Sequence, residues 1–499
     1  MAGVKSLFKD TAIYGVSSIV GRFLNWCLVP MYTYYFAEAE YGVVTNLYAY
    51  VAVVLICLTY GMETGFFRFA NHDRWTNPGQ VYTTALSSLG VSSTLFIIAG
   101  CLLSPEIARW TGCDGHAEYI WMMVIAVGVD AYTSIPFAYL RYRKRPVRFA
   151  TLKLINIGLN IGLNLFFIVL CPVIWEHSPE WIGWFYRPDF GIGYIFLANM
   201  ISSLAVLLMV IPEVLAEQYN FSGKLLREML RYSYPLLILG IAGIMNQTID
   251  KILYPMLAPD KATAMSELGV YGANYKVAIV MVMFIQAFRF AYEPFIFAQS
   301  KQRGEEKTKA YRDAMNWFVI FGLFIFLGVM FYLPVLKYFI SPKYFSGLKI
   351  VPIVMLAELW FGIFFNLSLW YKLTDRTIWG TWFSLTGLAV TVSVNVIFVP
   401  LYGYTACAWA AFTSYGVMMV ASYLFGRKYY PINYDIKCAA GYLVLAMGLW
   451  WLSHITTTGV NIYDFATRLL LLAVYGGAVY ITEVRGPRRK ALNNNGQQQ

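Results

Sequence analysis

The sequence predicts an all-α, polytopic integral membrane protein of about fourteen spans, and three observations carry that prediction. Of the 499 residues, 59% are apolar and 13% are charged, whereas a soluble chain carries about 25% charged residues. The mean hydropathy is +0.56. Apolar windows of roughly 20 residues, the length that crosses a bilayer as a helix, recur from end to end with short polar breaks between them.

Taken in order, the first window, 11–36, is too long for a leader's apolar core and lacks a small-residue cleavage site, so it is read as a retained span. The second, 42–64, opens on Tyr41-Gly42 and leads to the polar break around Arg68 and Arg74. The third and fourth, 81–103 and 119–140, flank a loop that holds Cys113. The fifth, 149–171, leads into the longest outer segment, 172–190, and the sixth comes next at 191–212. The seventh, 233–255, carries Tyr234-Pro235 and Asp250-Lys251, and the eighth, 270–292, opens on Tyr271-Gly272. The ninth to twelfth are 314–336, 349–371, 378–399 and 405–425. The last two, 438–456 and 465–483, contain His454 and Arg468 and are the first to fall out if the count is twelve.

The net charge of +11 is mostly topology. With a cytoplasmic N-terminus, 26 of the 38 basic residues fall on inner segments, among them Arg141, Arg143, Arg148, Lys224, Lys372 and Arg427. Six fall on outer segments (Arg109, Arg187, Lys261, Lys337, Lys343, Lys349) and six within spans (Arg22, Lys153, Lys251, Lys276, Arg289, Arg468). Enrichment of Lys and Arg on cytoplasmic loops sets orientation, so both termini are expected in the cytoplasm. The basic residues are spread over eight segments and make no nucleic-acid footprint. The three lysines at 337, 343 and 349 break the bias on one outer loop. Either they meet phosphates of the outer leaflet, the reading favoured here, or the ninth span is misplaced.

Several chemistries are excluded. Six of the seven cysteines lie in or beside spans, and the four histidines are scattered, so neither a disulfide framework nor a zinc site is expected. No cofactor is expected. There is no Gly-x-x-x-x-Gly-Lys-Ser/Thr phosphate loop, and no polar stretch is long enough for a nucleotide-binding domain. The outer segment 172–190 is short for an enzyme's catalytic carboxylates, so the chain reads as a transporter and not as an enzyme.

An ionisable side chain at the bilayer centre costs at least about 2.5–3.5 kcal/mol, so each one is a functional candidate. Arg22 lies near mid-membrane and shares a helix face with Ser18 and Asn25. Lys153, Asn156, Asn160 and Asn164 form a second stripe, which either lines a cavity or bonds to a neighbouring helix with Gly158 and Gly162 as small contact residues. Asp250 and Lys251 point about 100° apart on a helix, so the pair need not neutralise itself. Lys276 sits toward the outer end of the eighth span, and Arg289 at its inner end is spaced to pair with Glu293. Coupling to sodium or protons would fall to Glu63, Asp130, Asp250 or Glu358.

Phe67-Arg68-Phe69-Ala70 recurs as Phe288-Arg289-Phe290-Ala291, accompanied by a Pro-Met step (Pro30-Met31, Pro255-Met256) and a Tyr-Gly step (Tyr41-Gly42, Tyr271-Gly272). Two pseudo-symmetric six-helix halves, 1–212 and 213–430, with two extra helices and a basic tail after them, 431–499, are the organisation this repeat predicts. Such repeats build carriers that alternate access around a site between them.

At these residues the chain resembles the polysaccharide flippase (Wzx-type) branch of the superfamily that also holds MATE exporters and MurJ-type lipid II flippases. The likeness is carried by Ser17 to Arg22 through Pro30, Glu40-Tyr41-Gly42, Gly65 to Phe69, Tyr234-Pro235 with Asp250-Lys251, Ser341-Pro342-Lys343-Tyr344, Val351-Pro352, and Asn366 to Trp370 before Thr374 and Thr377. It implies a bacterial inner-membrane protein that moves an undecaprenyl-pyrophosphate-linked oligosaccharide to the outer leaflet for lipopolysaccharide or capsule assembly, alongside other polysaccharide assembly proteins. A cationic cavity of Arg22, Asn25, Arg68, Lys251, Lys276 and Arg289 is implied with it. The alternatives are a lipid II flippase, a MATE-type exporter of small molecules, which should want an acidic cavity, and a membrane glycan polymerase or ligase.

Overall fold

The computed structural model describes residues 19–71, 77–299, 305–374, 376–457, 459 and 461–485, with backbone alone at 291, 293–299, 305–307 and 484. All regular structure among them is helical, and twelve of the helices are long and apolar enough to cross a membrane. Two more complete the expected fourteen. These are α1, formed by residues 19–26 and Leu28–Tyr35 around a turn at Cys27, and α6, Gly193–Met209. The others are α2 Glu38–Ala70, α3 Pro78–Leu102, α4 Ala117–Tyr142, α5 Pro146–His177, α7 Gly223–Leu257, α8 Ala264–Phe290, α9 Thr308–Phe339, α10 Pro342–Leu373, α11 Ile378–Tyr402, α12 Tyr404–Tyr429, α13 Ile436–Thr456 and α14 Ile462–Glu483.

Within the described residues, the expected spans fall on these helices, the first of them from residue 19 on, and α13 and α14 are both present. Several helices begin before their apolar window because a polar cap starts them. Asn77 accepts from the Gln80 amide at 3.2 Å, Ser222 from Leu225 at 3.3 Å and Asp435 from Cys438 at 3.0 Å, each meeting a donor that the first turn leaves open. The α2 helix breaks at Tyr60 (φ 32°) and Gly61 (φ 71°). Glycine takes a left-handed backbone at no steric cost; Tyr60 does not, and its hydroxyl is held 2.6 Å from Ser88 Oγ.

Contacts divide the chain into two compact units, Met1–Ala273 with Ser384–Ala410, and Asn274–Phe383 with Ala411–Gln499. In the first, one core gathers Tyr119, Phe167 and Phe196, and another gathers Phe66, Tyr82, Leu89 and Met229. In the second, Gly322 seats against Leu359 and Gly362 against Phe318, which brings α9 and α10 together. An aromatic cluster there holds Trp370, Tyr371 and Phe383, with Trp370 stacked on Tyr429 at 5.7 Å.

The segment from α6 to α7 is strapped to the first unit. Arg148 Nε donates to Glu213 at 3.0 Å, Arg143 to Glu217 at 2.8 Å, and Thr83 Oγ1 to the Asn220 carbonyl at 3.0 Å. Tyr139 and then Glu217 hold the Arg143 guanidinium above its ordinary pKa. The loop arginines that signal topology in the sequence therefore also fasten this connection.

Glycine decides one close approach. The α-carbon of Gly42 in α2 faces the Met265 carbonyl, and that of Gly269 in α8 faces the Glu38 carbonyl, with no room for a Cβ at either position. Backbone cannot step aside as a side chain can. Gly269→Val is therefore expected to destabilise the protein by about 1–3 kcal/mol through overpacking, read as a fall in Tm in detergent. Gly158→Ala, at a helix position open to space, is expected to be neutral or stabilising by up to about 1 kcal/mol.

Candidate functional site

The first unit holds Arg22, Asn25, Glu63, Arg68, Asp130, Asp250 and Lys251 of the expected site, and the second holds Lys276, Arg289 and Glu358. Ser18, Arg74 and the tail residues Arg488, Arg489 and Lys490 lie outside the described residues, as does the Glu293 side chain expected to pair with Arg289.

Arg22 and Asn25 are both exposed on α1, three residues apart and so on one helix face. The α1 helix packs on α5, where the Tyr32 hydroxyl donates to Asn164 Oδ1 at 2.9 Å and Asn164 Nδ2 donates to Asn160 Oδ1 at 2.7 Å. The deep end of the asparagine stripe thus joins helices. The companion expectation for Gly158 and Gly162 is corrected: a Cβ built on either would meet nothing within 4 Å, so neither marks a close small-residue contact. At the other end of the stripe, Lys153 lies 4.2 Å from the Phe137 ring centre and within electrostatic reach of Asp130.

Glu63 is ion-paired with Arg141. Asp250 and Lys251 do neutralise each other, a pairing that the helical wheel left open. Lys251 Nζ lies 3.0 Å and 3.1 Å from the two carboxylate oxygens, and the Tyr271 hydroxyl donates to Asp250 Oδ2 at 2.6 Å. The lysine stem is long enough to fold back along its own helix, where it also donates to the Gln247 carbonyl at 3.0 Å. Glu358 accepts from the Tyr275 hydroxyl, and Lys276, the next residue along α8, is half-buried. Arg468, the charge that made α14 uncertain, is structural. It is 3% exposed and donates to the Gly459 carbonyl at 2.9 Å and to Thr457 at 3.2 Å, holding the turn before its own helix.

The two arginines of the repeated tetrapeptide make the same kind of contact. The Arg68 guanidinium lies 4.1 Å from the centre of the Tyr232 ring, and Arg289 lies 3.6 Å from that of Phe365. Arg68 is exposed and has no ion pair among the described residues. Lys372 brings a second cation to Phe365, at 4.5 Å. A cation over a ring gains about 0.5–2 kcal/mol, which offsets part of the cost of its position without cancelling its charge. The neighbouring Asn366 is 1% exposed, and neither of its side-chain polar atoms has a hydrogen-bond partner. Sequence reasoning missed Lys372 because it was counted among the inner-loop charges. Its seven-residue spacing from Phe365, two helical turns, was the available signal.

Among the described residues, no group of His, Cys, Asp and Glu could hold a metal ion, and each unit offers cations on aromatic platforms. No family model matches the chain, and no curated protein sequence does. Solved structures do match. One is "Lipid II flippase MurJ, inward closed conformation", with a TM-score of 0.69 at 13% identity, covering 94% of this chain and 99% of that one. The chain shares the fold of that structure. An inward-facing multidrug resistance MATE family transporter of the MOP superfamily matches with a TM-score of 0.66 at 13% identity, over 82% of this chain and 94% of its own. A MATE crystal structure in complex with MaD3S matches with a TM-score of 0.58 at 14% identity, over 85% and 95%. This shared fold and the twelve long apolar helices make this a multi-pass membrane protein.

Proposed function

We propose that the chain is a flippase of the Wzx type, carrying an undecaprenyl-pyrophosphate-linked oligosaccharide across a bacterial cytoplasmic membrane by alternating access, with both termini in the cytoplasm. The observation that carries this reading is the repeated Phe-Arg-Phe-Ala, whose arginines each rest on an aromatic ring, with Lys372 beside the second. A pyrophosphate taken out of bulk water needs cationic partners, and arginine forks suit its oxygens. Adjacent aromatic faces suit sugar rings. A small cation would be repelled by the same arrangement, which speaks against export of the MATE kind. The binding set is Arg22, Asn25, Arg68, Lys276 and Arg289, joined by Lys372, while Lys251 is committed to Asp250. Coupling to protons or sodium is assigned to the intramembrane carboxylates, with Glu63 the weakest candidate because Arg141 holds it.

The test is a deletion strain. Loss of a surface glycan, accumulation of its lipid-linked precursor and preserved viability are expected. The second reading, lipid II flipping, is favoured by the overlap in fold with the lipid II flippase; it predicts loss of viability with accumulation of peptidoglycan precursor instead. A change in glycan chain length with translocation intact would favour a polymerase.

A further inference from the structure

The lysines at 337, 343 and 349 stand outside the functional site, and the ninth span is where the sequence places it: α9 carries 314–336 and Leu336 ends its α-helical part. Beyond Leu336 the chain forms a 3₁₀ turn, Lys337–Phe339, and then a nine-residue 3₁₀ helix, Pro342–Ile350. In a 3₁₀ helix residues three apart eclipse one another, so this segment has three distinct faces. Tyr344, Gly347 and Ile350 form a buried face. Phe345 and Leu348 form a half-buried apolar face, and Lys343, Ser346 and Lys349 form an exposed one.

The segment is anchored. The buried Asn274 donates from Nδ2 to the Tyr344 carbonyl at 2.8 Å. Lys337 rests against an edge-to-face pair of Tyr338 and Phe345, whose centres are 5.7 Å apart, at 5.2 Å and 5.0 Å from the two rings. No Asp or Glu occurs between Pro334 and Pro352. Val335, Leu336 and Tyr338 beside it are exposed. A basic stripe beside an apolar one is the pattern of an element lying in the bilayer interface, its apolar side toward acyl chains and its lysines toward phosphate.

We propose that the Pro342–Ile350 3₁₀ helix is a docking surface for anionic phospholipid headgroups, with Lys343 and Lys349 as the contact residues. The choice of lysine points to headgroups rather than to the carried pyrophosphate. Two hydrated point charges without an arginine fork suit a field of singly charged phosphates better than bidentate recognition of one group. The proposal does not depend on what the protein transports.

Full-length protein is purified from nanodiscs of mixed phosphatidylglycerol and phosphatidylcholine, and the lipids retained are counted by native mass spectrometry. The wild type is expected to enrich phosphatidylglycerol, and K343Q/K349Q to reduce that enrichment roughly tenfold, in line with the contribution of basic residues near an anionic surface. K343R/K349R should keep it, since headgroups respond to charge. Lys261→Gln, on another loop, should leave it unchanged. Unaltered enrichment in the double glutamine variant overturns the proposal. So does a variant that keeps phosphatidylglycerol but loses an isoprenyl pyrophosphate supplied in the same discs, because the patch would then serve substrate. Both lysines are exposed, and an unchanged Tm establishes that the variants are folded.

Discussion

Replacing Arg289 by alanine is expected to lower translocation of a lipid-linked oligosaccharide by roughly 10- to 100-fold, the loss of one charge-assisted contact of about 1.5–3 kcal/mol. The measurement is flipping of a fluorescent lipid-linked oligosaccharide in proteoliposomes, with inserted protein quantified in parallel. Arg289→Lys separates charge from shape. It keeps the cation but gives up the planar fork that lies on Phe365, and an intermediate rate is expected. Phe365→Leu is the sharper variant, because that ring carries Lys372 as well. It should weaken transport as much as the arginine variant while leaving both charges in the chain. Near-normal rates in Arg289→Ala and Phe365→Leu together would remove the aromatic-cation platform from the mechanism.

The second large effect belongs to stability. Lys251→Met leaves the Asp250 carboxylate, 5% exposed, with Tyr271 as its remaining polar contact on that side. Breaking a buried pair from one end costs about 3–5 kcal/mol. A fall in Tm of several degrees is expected, and Asp250→Leu should behave alike. The double variant Asp250→Leu/Lys251→Met should recover most of the loss, since no lone charge is left behind. Additive losses would mean that the two side chains serve different partners. A double variant that is stable but inactive would return Lys251 to the binding set from which its geometry withdraws it.

The helices were legible because a bilayer imposes a length of about 20 apolar residues, and that constraint is written directly into composition. Where they start was less so: α7 begins at Gly223, ten residues ahead of its apolar window, because the Ser222 cap and the burial of Leu225 and Met229 extend it over a polar stretch. The break at Tyr60-Gly61 carries a single glycine as its sign, and Tyr60 in the left-handed region contradicts local preference. At the site, the repeat singled out Arg68 and Arg289, which stand in a tetrapeptide distinctive enough to recur, and each lies over an aromatic ring. The aromatic residues beneath them could not be found, because Tyr232 and Phe365 lie on other helices and sequence spacing says nothing of that distance. The Asp250-Lys251 pairing, left open by the helical wheel, was hidden for a different reason. A helical wheel fixes Cβ directions, and a four-carbon stem is free to ignore them.

A tyrosine face holds a cation without supplying an opposite charge. Arg68 on Tyr232 therefore keeps its full positive charge at the end of its helix, where it repels cations and attracts anions. On the proposed reading, coupling to an ion gradient falls to carboxylates such as Asp130. Fuel and cargo would then travel by separate doors, and a leak of one would not result from passage of the other.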